Sequence, residues 1–111
     1  METEQGGKGM AFSGAIMLSA KDNIAVCLED IREGADVEVR LGEEAWSITA
    51  LEEIPFGFKI ALADIPAGER IIKYGESIGL ASEPIIKGQL VHVHNLEGEK
   101  GRGDLVAGES E

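Results

Sequence analysis

The sequence repeats one short turn pattern four times, and this repeat constrains the fold more than any other feature. In each copy an apolar residue is followed by two residues, a Gly, two more residues and a second apolar residue. The copies span residues 31–37, 54–60, 65–71 and 85–91. Gly supplies the positive φ that a tight reversal needs, and Pro55 and Pro66, at the second position of two copies, pre-set φ for the turn. Because the intervals between copies are irregular, the pattern predicts one turn type reused inside a single small domain rather than a solenoid.

Short apolar runs separate these turns and indicate β-strands. Residues 37–41 alternate apolar and charged side chains with a period of two, as a half-buried strand does. No window carries the spacing and the cap of a long helix. Residues 22–31 can be a short helix begun by Asp22, but their β-branched content favours a strand, and the run before Pro84 has room for a single helical turn. We therefore predict a mainly β fold of six or seven short strands, with at most one or two short helical turns.

The length of 111 residues predicts one domain with polar, Gly-rich ends. We predict a flexible tail over residues 1–11, a folded body over residues 12–96 and a second flexible tail over residues 97–111. The first ten residues have neither the basic nor the apolar region of a signal peptide, which predicts a cytoplasmic location. Cys27 is the only cysteine and sits in an apolar run, so we expect an inert buried thiol.

The chain is strongly acidic, with 21 acidic residues against 10 basic residues and a net charge of −11. This balance argues against nucleic acid as a partner, because neutralising phosphates requires Lys and Arg. It also argues against binding to an anionic membrane surface. We attribute the excess of carboxylates to solubility.

The two histidines of the chain, His92 and His94, stand two residues apart near its end. In a strand such residues share one face, roughly 6 to 7 Å apart, so both imidazoles can reach one ion. Val91 and Val93 then face the core, and Asn95 shares their side unless the strand ends first. Two ligands leave a metal site incomplete. On spacing alone, the polar outer face of an edge strand explains the pair better than a site does.

A second candidate site is the segment Lys73-Tyr74-Gly75, at the end of a predicted strand. Lys73 can bind a substrate carboxylate, or act as a base if burial lowers its pKa, and Tyr74 can donate a hydrogen bond. The alternative is a surface lysine beside a half-buried tyrosine at a turn, which the residues alone favour.

Residues 56–96 closely resemble the amino-terminal domain of the altronate and galactarate dehydratase family, a SAF-type domain related in fold to the antifreeze-like domain of sialic acid synthases. The ordered motifs that carry the resemblance are Lys-Ile-Ala-Leu, Asp-Ile-x-x-Gly, Lys-Tyr-Gly, Ile-Gly and a closing Val-His-x-His-Asn. Residues 22–39 fit as well, so the resemblance covers about four-fifths of the chain. It implies a β-clip fold of short twisted strands.

The resemblance also implies a role in removing water from a sugar acid, in enzymes that depend on a divalent metal, typically iron or manganese. Carried over by motif, His92, His94 and Asn95 are expected to line the active site, with the two histidines as metal ligands or proton-transfer groups. Lys73 and Tyr74 are expected near the same cleft, Lys73 in catalysis and Tyr74 in substrate binding. Dehydration needs a base for the proton next to the carboxylate and an acid for the departing hydroxyl, which suits these side chains.

In this family the small domain accompanies a much larger catalytic part, either fused to it or as a separate subunit. The present sequence ends about fifteen residues after His94-Asn95-Leu96, which predicts a small subunit that completes an active site with a large catalytic subunit. The alternatives are the small subunit of a sulfolactate-cleaving lyase of the same family and a non-catalytic SAF-type module that binds carbohydrate or a partner.

Overall fold

The computed structural model describes residues 14–92 and 94–98, which form nine β-strands and contain no helix. The strands are β1 (Ala15–Ile16), β2 (Ile24–Cys27), β3 (Asp36–Leu41), β4 (Glu44–Thr49), β5 (Lys59–Ala61), β6 (Arg70–Lys73), β7 (Glu76–Ala81), β8 (Leu90–Val91) and β9 (Leu96–Glu97). The predicted mainly β fold is confirmed, although the described residues form nine short strands rather than the six or seven predicted, and the strand interpretation of the run after Asp22 is correct. The helical turn placed before Pro84 is wrong, because that run begins with the six residues of β7. The first predicted tail and nearly all of the second lie outside the described residues.

The strands form two sheets. The six-stranded sheet has the order β4-β3-β1-β2-β5-β8, and the three-stranded sheet has the order β6-β7-β9. Neighbouring strands run antiparallel except β1 and β3, which are parallel. No helix among the described residues is long and apolar enough to cross a membrane.

The four predicted turns share one geometry. In the second copy the amide of Phe58 donates to the carbonyl of Pro55 at 3.0 Å, which closes a four-residue turn with Gly57 in third place at a φ of 88°. This positive φ at the third position is the mark of a type II turn, and it explains the glycine. Pro55 therefore occupies the first position of the turn. Our prediction that proline sets φ inside the turn is wrong for this reason, and the same holds for Pro66, whose carbonyl accepts from Glu69.

The turns are joined in reciprocal pairs by backbone hydrogen bonds. A small residue lies four positions before the isoleucine that starts each copy, and the turn of the partner copy binds both backbone groups of that residue. In the first pair, the amide of Gly57 donates to the carbonyl of Cys27, and the amide of Cys27 donates to the carbonyl of Phe58. In the opposite direction, the amide of Gly34 donates to the carbonyl of Ala50. Each of these bonds is 2.8 Å long. The third and fourth copies bind each other in the same way, through Ala61 and Ala81. The repeat is therefore a device for joining distant segments in pairs.

Each pair of turns builds one hydrophobic core. Ile31 bridges Ile54 in the first core, and Ile65 bridges Ile85 in the second. Strands β2, β5 and β8 separate the two cores, because alternate residues of a strand point to opposite faces. The side chains that enter the first core from these strands are Ala25, Cys27, Ile60 and Leu90, and those that enter the second are Ile24, Ala61 and Val91.

The reciprocal pairing of the turns predicts how replacing Cys27 affects stability. The residue is fully buried, and burial raises the pKa of its thiol to about 11, with a smaller contribution from Glu29, so the predicted inert thiol agrees with the structure. The other three copies place a buried Ala at the same position, namely Ala50, Ala61 and Ala81. We therefore expect Cys27→Ala to change the free energy of unfolding by no more than about 1 kcal/mol in urea denaturation. A loss above about 2 kcal/mol would show that the copies are not equivalent.

Candidate functional site

The hairpin between β6 and β7 presents Lys73 and Tyr74 at its tip. Lys73 pairs with Glu76, so Tyr74 and Gly75 form a two-residue turn, with φ values of 60° and 75°. The ammonium nitrogen of Lys73 lies 5.9 Å from the centre of the Tyr74 ring. The tyrosine is 67% exposed, so neither the core nor a neighbouring strand covers it.

Asp22 holds this tip in place, a role that sequence reasoning missed. Its carboxylate accepts the amide of Gly75 at 2.8 Å through Oδ1. Oδ2 accepts the amides of Leu18 and Ser19 at 3.1 and 3.0 Å. Asp22 is buried, and all three bonds serve to fix a loop against the hairpin. The available signal was an Asp-Asn pair at the entry to a strand, which is typical of side chains that bind local backbone amides.

Asn23 continues the same connection. Its Oδ1 accepts the amide of Ile72 at 2.7 Å, its own amide donates to the Ile72 carbonyl at 3.3 Å, and its Nδ2 donates to the Arg70 carbonyl. The hairpin is thus joined to the start of β2 along most of β6.

The backbone of Tyr74 is costly for this residue type. A bulky residue at positive φ is unusual, whereas Asn-Gly is the preferred pair for a two-residue turn with two positive φ values. We expect Tyr74→Asn to raise the free energy of unfolding by about 0.5 to 1 kcal/mol, as measured by urea denaturation. Tyr74→Phe keeps the strain and should leave stability unchanged. A Tyr74→Asn variant less stable than Tyr74→Phe would contradict this account.

The two histidines lie in a turn and not on a strand. Strand β8 ends at Val91, and the amide of Asn95 donates to the carbonyl of His92 at 3.0 Å. The prediction that His92 and His94 share one face of an extended strand is therefore wrong, because the chain reverses between them. Val91 faces the second core as predicted, while Val93 lies outside the described residues.

Asn95 fixes this turn through its side chain. Oδ1 accepts the amide of His92 at 2.9 Å, and Nδ2 donates to the Leu90 carbonyl at 2.8 Å. Its backbone carbonyl also accepts the amide of Ser82 at 3.0 Å, which links the turn to the end of β7. Asn95 is 3% exposed, so its amide serves the backbone of this chain.

The two imidazoles have different surroundings. The His92 ring lies 4.3 Å from the ring of Phe58, centre to centre, and is half-buried. Phe58 precedes β5, in which Lys59 pairs with Val91, so the contact between the two rings, which are tilted by 37°, lies just beyond the last pair of that ladder. His94 is exposed. One ring is therefore packed in place, while the other is free to meet a substrate or a partner.

The described residues gather the predicted site residues into two groups, the hairpin tip with Lys73 and Tyr74, and the turn with His92, His94 and Asn95. No hydrogen bond, ion pair or ring contact within the described ranges joins the groups directly. Strand β5 lies beside the histidine turn, since Phe58 touches His92 and the next residue, Lys59, shares with Val91 the face toward the second core. Burial lowers the pKa of Lys59, and the charge of Lys73 lowers it further.

The histidine turn supplies two nitrogen ligands at most. Among residues 14–92 and 94–98 no three His, Cys, Asp or Glu side chains are placed to hold a metal ion together. Since a protein metal site needs three or four ligands, the described residues do not fit a complete metal centre.

Comparison with known proteins identifies the family. The model of the altronate/galactarate dehydratase SAF domain matches residues 13–99. The chain is 41% identical over 80 residues to altronate dehydratase of Escherichia coli strain K12, which covers 72% of this chain and 15% of that protein. It is 40% identical over 82 residues to altronate dehydratase of Bacillus subtilis strain 168, covering 74% of this chain and 16% of the relative.

A shorter relative matches as well. The alpha subunit of (2R)-sulfolactate sulfo-lyase from Paracoccus pantotrophus is 42% identical over 50 residues, which make up 45% of this chain and 75% of that subunit. The match of the family model extends over most of the described strands and includes both groups of site residues. The chain belongs to the SAF domain family of the altronate and galactarate dehydratases.

Proposed function

We propose that this chain is the SAF-type component of a hydro-lyase that removes water from a sugar acid, and that it completes an active site with a larger catalytic part. The observation that carries the proposal is the histidine turn. Asn95 fixes the backbone of a turn that carries two imidazoles, one packed against Phe58 and one exposed, within a domain that is about 40% identical to altronate dehydratases.

The chemistry assigns a role to each group. The proton next to the carboxylate is removed, the neighbouring hydroxyl leaves as water after it gains a proton, and the resulting enol becomes a 2-oxo-3-deoxy acid. An exposed imidazole such as that of His94 can act as a general acid or base and transfer these protons. His92, stacked on Phe58, orients the turn and offers its own ring nitrogen. Lys73 carries a positive charge to the site, and the Tyr74 hydroxyl is free to donate to the substrate.

Asn95 receives a different role from the one predicted. Both ends of its side-chain amide bind the backbone of this chain, so we assign it to positioning the histidines rather than to binding substrate. We propose that a divalent metal, iron or manganese, is held mainly by the larger part, with His92 and His94 as additional ligands. Because the described residues do not form a complete centre, we assign no step of the reaction to this metal.

The larger part is required because the chain spans about one sixth of the altronate dehydratases that it matches and offers an incomplete set of acidic and basic groups. We propose a separate large subunit. A relative named as an alpha subunit, three-quarters of which aligns with this chain, supports a domain of this type acting as its own polypeptide. The same relative supports a second candidate function, cleavage of a sulfonate group from a sulfo-acid.

The test is product formation by the complete enzyme from altronate, galactarate and (2R)-sulfolactate. We expect a 2-oxo-3-deoxy acid, detected as its semicarbazone, from one of the sugar acids. Release of sulfite from sulfolactate instead would select the second candidate. Absence of product from all three acids would contradict both.

A further inference from the structure

The buried carboxylate of Asp22 joins two segments that are far apart in the sequence. Its Oδ1 accepts the amide of Gly75 at 2.8 Å, while its Oδ2 accepts the amides of Leu18 and Ser19 at 3.1 and 3.0 Å. The residue is 6% exposed, so backbone amides take the place of water around the carboxylate. The loop before β2 and the tip of the hairpin between β6 and β7 therefore share one buried acceptor.

The same loop packs against the tip. A Cβ built on Gly75 would lie 3.3 Å from the hydroxyl oxygen of Ser19 and 4.0 Å from Cδ of Lys21. Within the loop, the amide of Asp22 donates to the carbonyl of Ser19 at 3.0 Å, and the amide of Lys21 donates to the Ser19 hydroxyl at 3.2 Å. The loop is thus a closed turn of its own, and the hairpin tip lies on a fixed support.

Asp22 binds the central peptide of the hairpin turn. Tyr74 and Gly75 are the two central residues, and both have a positive φ, at 60° and 75°, which is the type I′ conformation. Rotating the peptide between them would convert this turn into type II′. The amide of Gly75 belongs to that peptide, so its bond to Asp22 fixes the backbone that follows the Cα of Tyr74. The direction in which the Tyr74 side chain leaves the tip is fixed with it.

Tyr74 depends on this support because its own side chain is held by little else. It is 67% exposed and contributes no packing to either core, while its positive φ is unfavourable for a bulky residue. Such a conformation persists only where the surrounding structure determines it, and residues of this kind cluster at functional sites. The buried carboxylate under the tip supplies that determination.

We propose that Asp22 is a positioning residue of the active site and acts on the substrate through Tyr74. Its carboxylate is buried under the tip and occupied by three backbone amides, so it has no direct contact with the substrate. It holds the tip so that the exposed Tyr74 hydroxyl meets an oxygen atom of the bound acid. The inference rests on the proposed function for the kind of acid that is bound.

The experiment is a double-mutant cycle on the complete enzyme, with KM and kcat for the acid as its readouts. Tyr74→Phe should raise KM about tenfold or more, as for loss of one hydrogen bond to a charged group. Asp22→Asn leaves a single oxygen for three amides and turns an NH₂ group toward one of them, which releases the tip. It should raise KM about threefold to tenfold, with kcat within about twofold.

The two substitutions together separate positioning from a general loss of structure. In the Tyr74→Phe enzyme, Asp22→Asn should change KM by less than about twofold, because the hydroxyl through which it acts is already gone. A purely structural Asp22 would instead lower the melting temperature and leave KM of the folded enzyme unchanged in both backgrounds.

Asp64→Asn is the matched control. The Asp64 carboxylate also binds the amide of a turn residue, that of Lys87 at 2.9 Å, but it does so on the fourth turn, which carries none of the predicted site residues. This variant should leave KM unchanged. Circular dichroism confirms that each variant is folded. If Asp22→Asn does not fold, Asp22→Glu, which keeps the carboxylate and displaces it by one methylene, replaces it in the cycle with the same expectations.

An active enzyme whose KM is unchanged by the Asp22 substitution would overturn the inference and leave the proposed function standing. Equal rises in KM in the two backgrounds would overturn it as well, since Asp22 would then act by a route other than Tyr74. An unsubstituted enzyme that turned over none of the three acids would contradict the proposed function, and the inference would fail with it.

Discussion

Replacing Gly88 by Ala should lower the free energy of unfolding by about 3 kcal/mol or more, which exceeds the expected loss at the other turn glycines. Gly88 has a φ of 94°, a conformation that costs an alanine roughly 1–2 kcal/mol. A Cβ at this position would also overlap the backbone carbonyl oxygen of Thr49 and crowd Leu51, whose amide binds the Gly88 carbonyl. Backbone atoms cannot move aside as a flexible side chain can, so the fourth turn would separate from the end of β4.

Gly68→Ala is the matched control. Gly68 occupies the same place in the third turn, with a φ of 89°, but nothing lies within 4 Å of its Cβ position. Only the backbone cost remains there, about 1 to 2 kcal/mol. Urea denaturation of the two variants therefore measures the close approach at Gly88 alone. Equal losses would show that the fourth turn has no contact with β4 in solution.

Asn95→Ala should lower the free energy of unfolding by about 2 to 4 kcal/mol, because it removes a buried side-chain amide and leaves the two backbone groups that it binds without a partner. The amide of His92 loses its acceptor, and the carbonyl of Leu90 loses a donor. Asn95→Asp keeps the acceptor and loses the donor, so its cost should fall between that of Asn95→Ala and zero. Thermal and urea unfolding measure these losses.

His94→Ala is the control for the same turn. His94 is exposed one residue away, so its removal should change stability by less than about 0.5 kcal/mol. An Asn95→Ala variant as stable as His94→Ala would contradict the role we assign to Asn95. In the complete enzyme Asn95→Ala should also reduce the rate, since the histidines would no longer be held in one orientation.

The repeated turns were predictable because each one is a local device. Gly34, Gly57, Gly68 and Gly88 all adopt the positive φ that their spacing from an isoleucine indicated. Their reciprocal pairing was not predictable, since it depends on which distant backbone each turn meets. The small residue four positions before each isoleucine, Cys27 in the first copy and Ala in the other three, was the available sign, because a backbone that another turn binds closely leaves room only for a small side chain.

The histidine pair shows where a period-two pattern fails. Residues 91–94 alternate apolar and polar side chains like a strand, yet the chain reverses after Val91 because the Asn95 side chain replaces the bonds that a neighbouring strand would have given. A polar side chain that can bind nearby backbone groups competes with the hydrogen bonds between strands. The alternation of apolar and polar residues does not show whether such a side chain will prevail. The strand argument therefore gave the two histidines the wrong geometry, and their place in an active site stays a prediction from the family resemblance.

Asp22 was missed for a different reason. Its carboxylate binds the amide of Gly75, which is far away in sequence, and a single sequence does not reveal such a pair. Tyr74 was selected for its hydroxyl group. Its positive φ adds an independent sign of function, since a strained, exposed aromatic residue at a hairpin tip contributes little to stability.

The rate of sugar-acid dehydration by the complete enzyme with His92 and His94 both replaced by Ala tests the central claim most directly. General acid–base catalysis contributes about 10²- to 10⁴-fold, so kcat should fall by at least about 100-fold, while circular dichroism confirms that the strands remain. Lys87→Met, made in the same enzyme, should leave kcat unchanged. A double variant that keeps its rate would show that the histidine turn of this chain is no part of the active site.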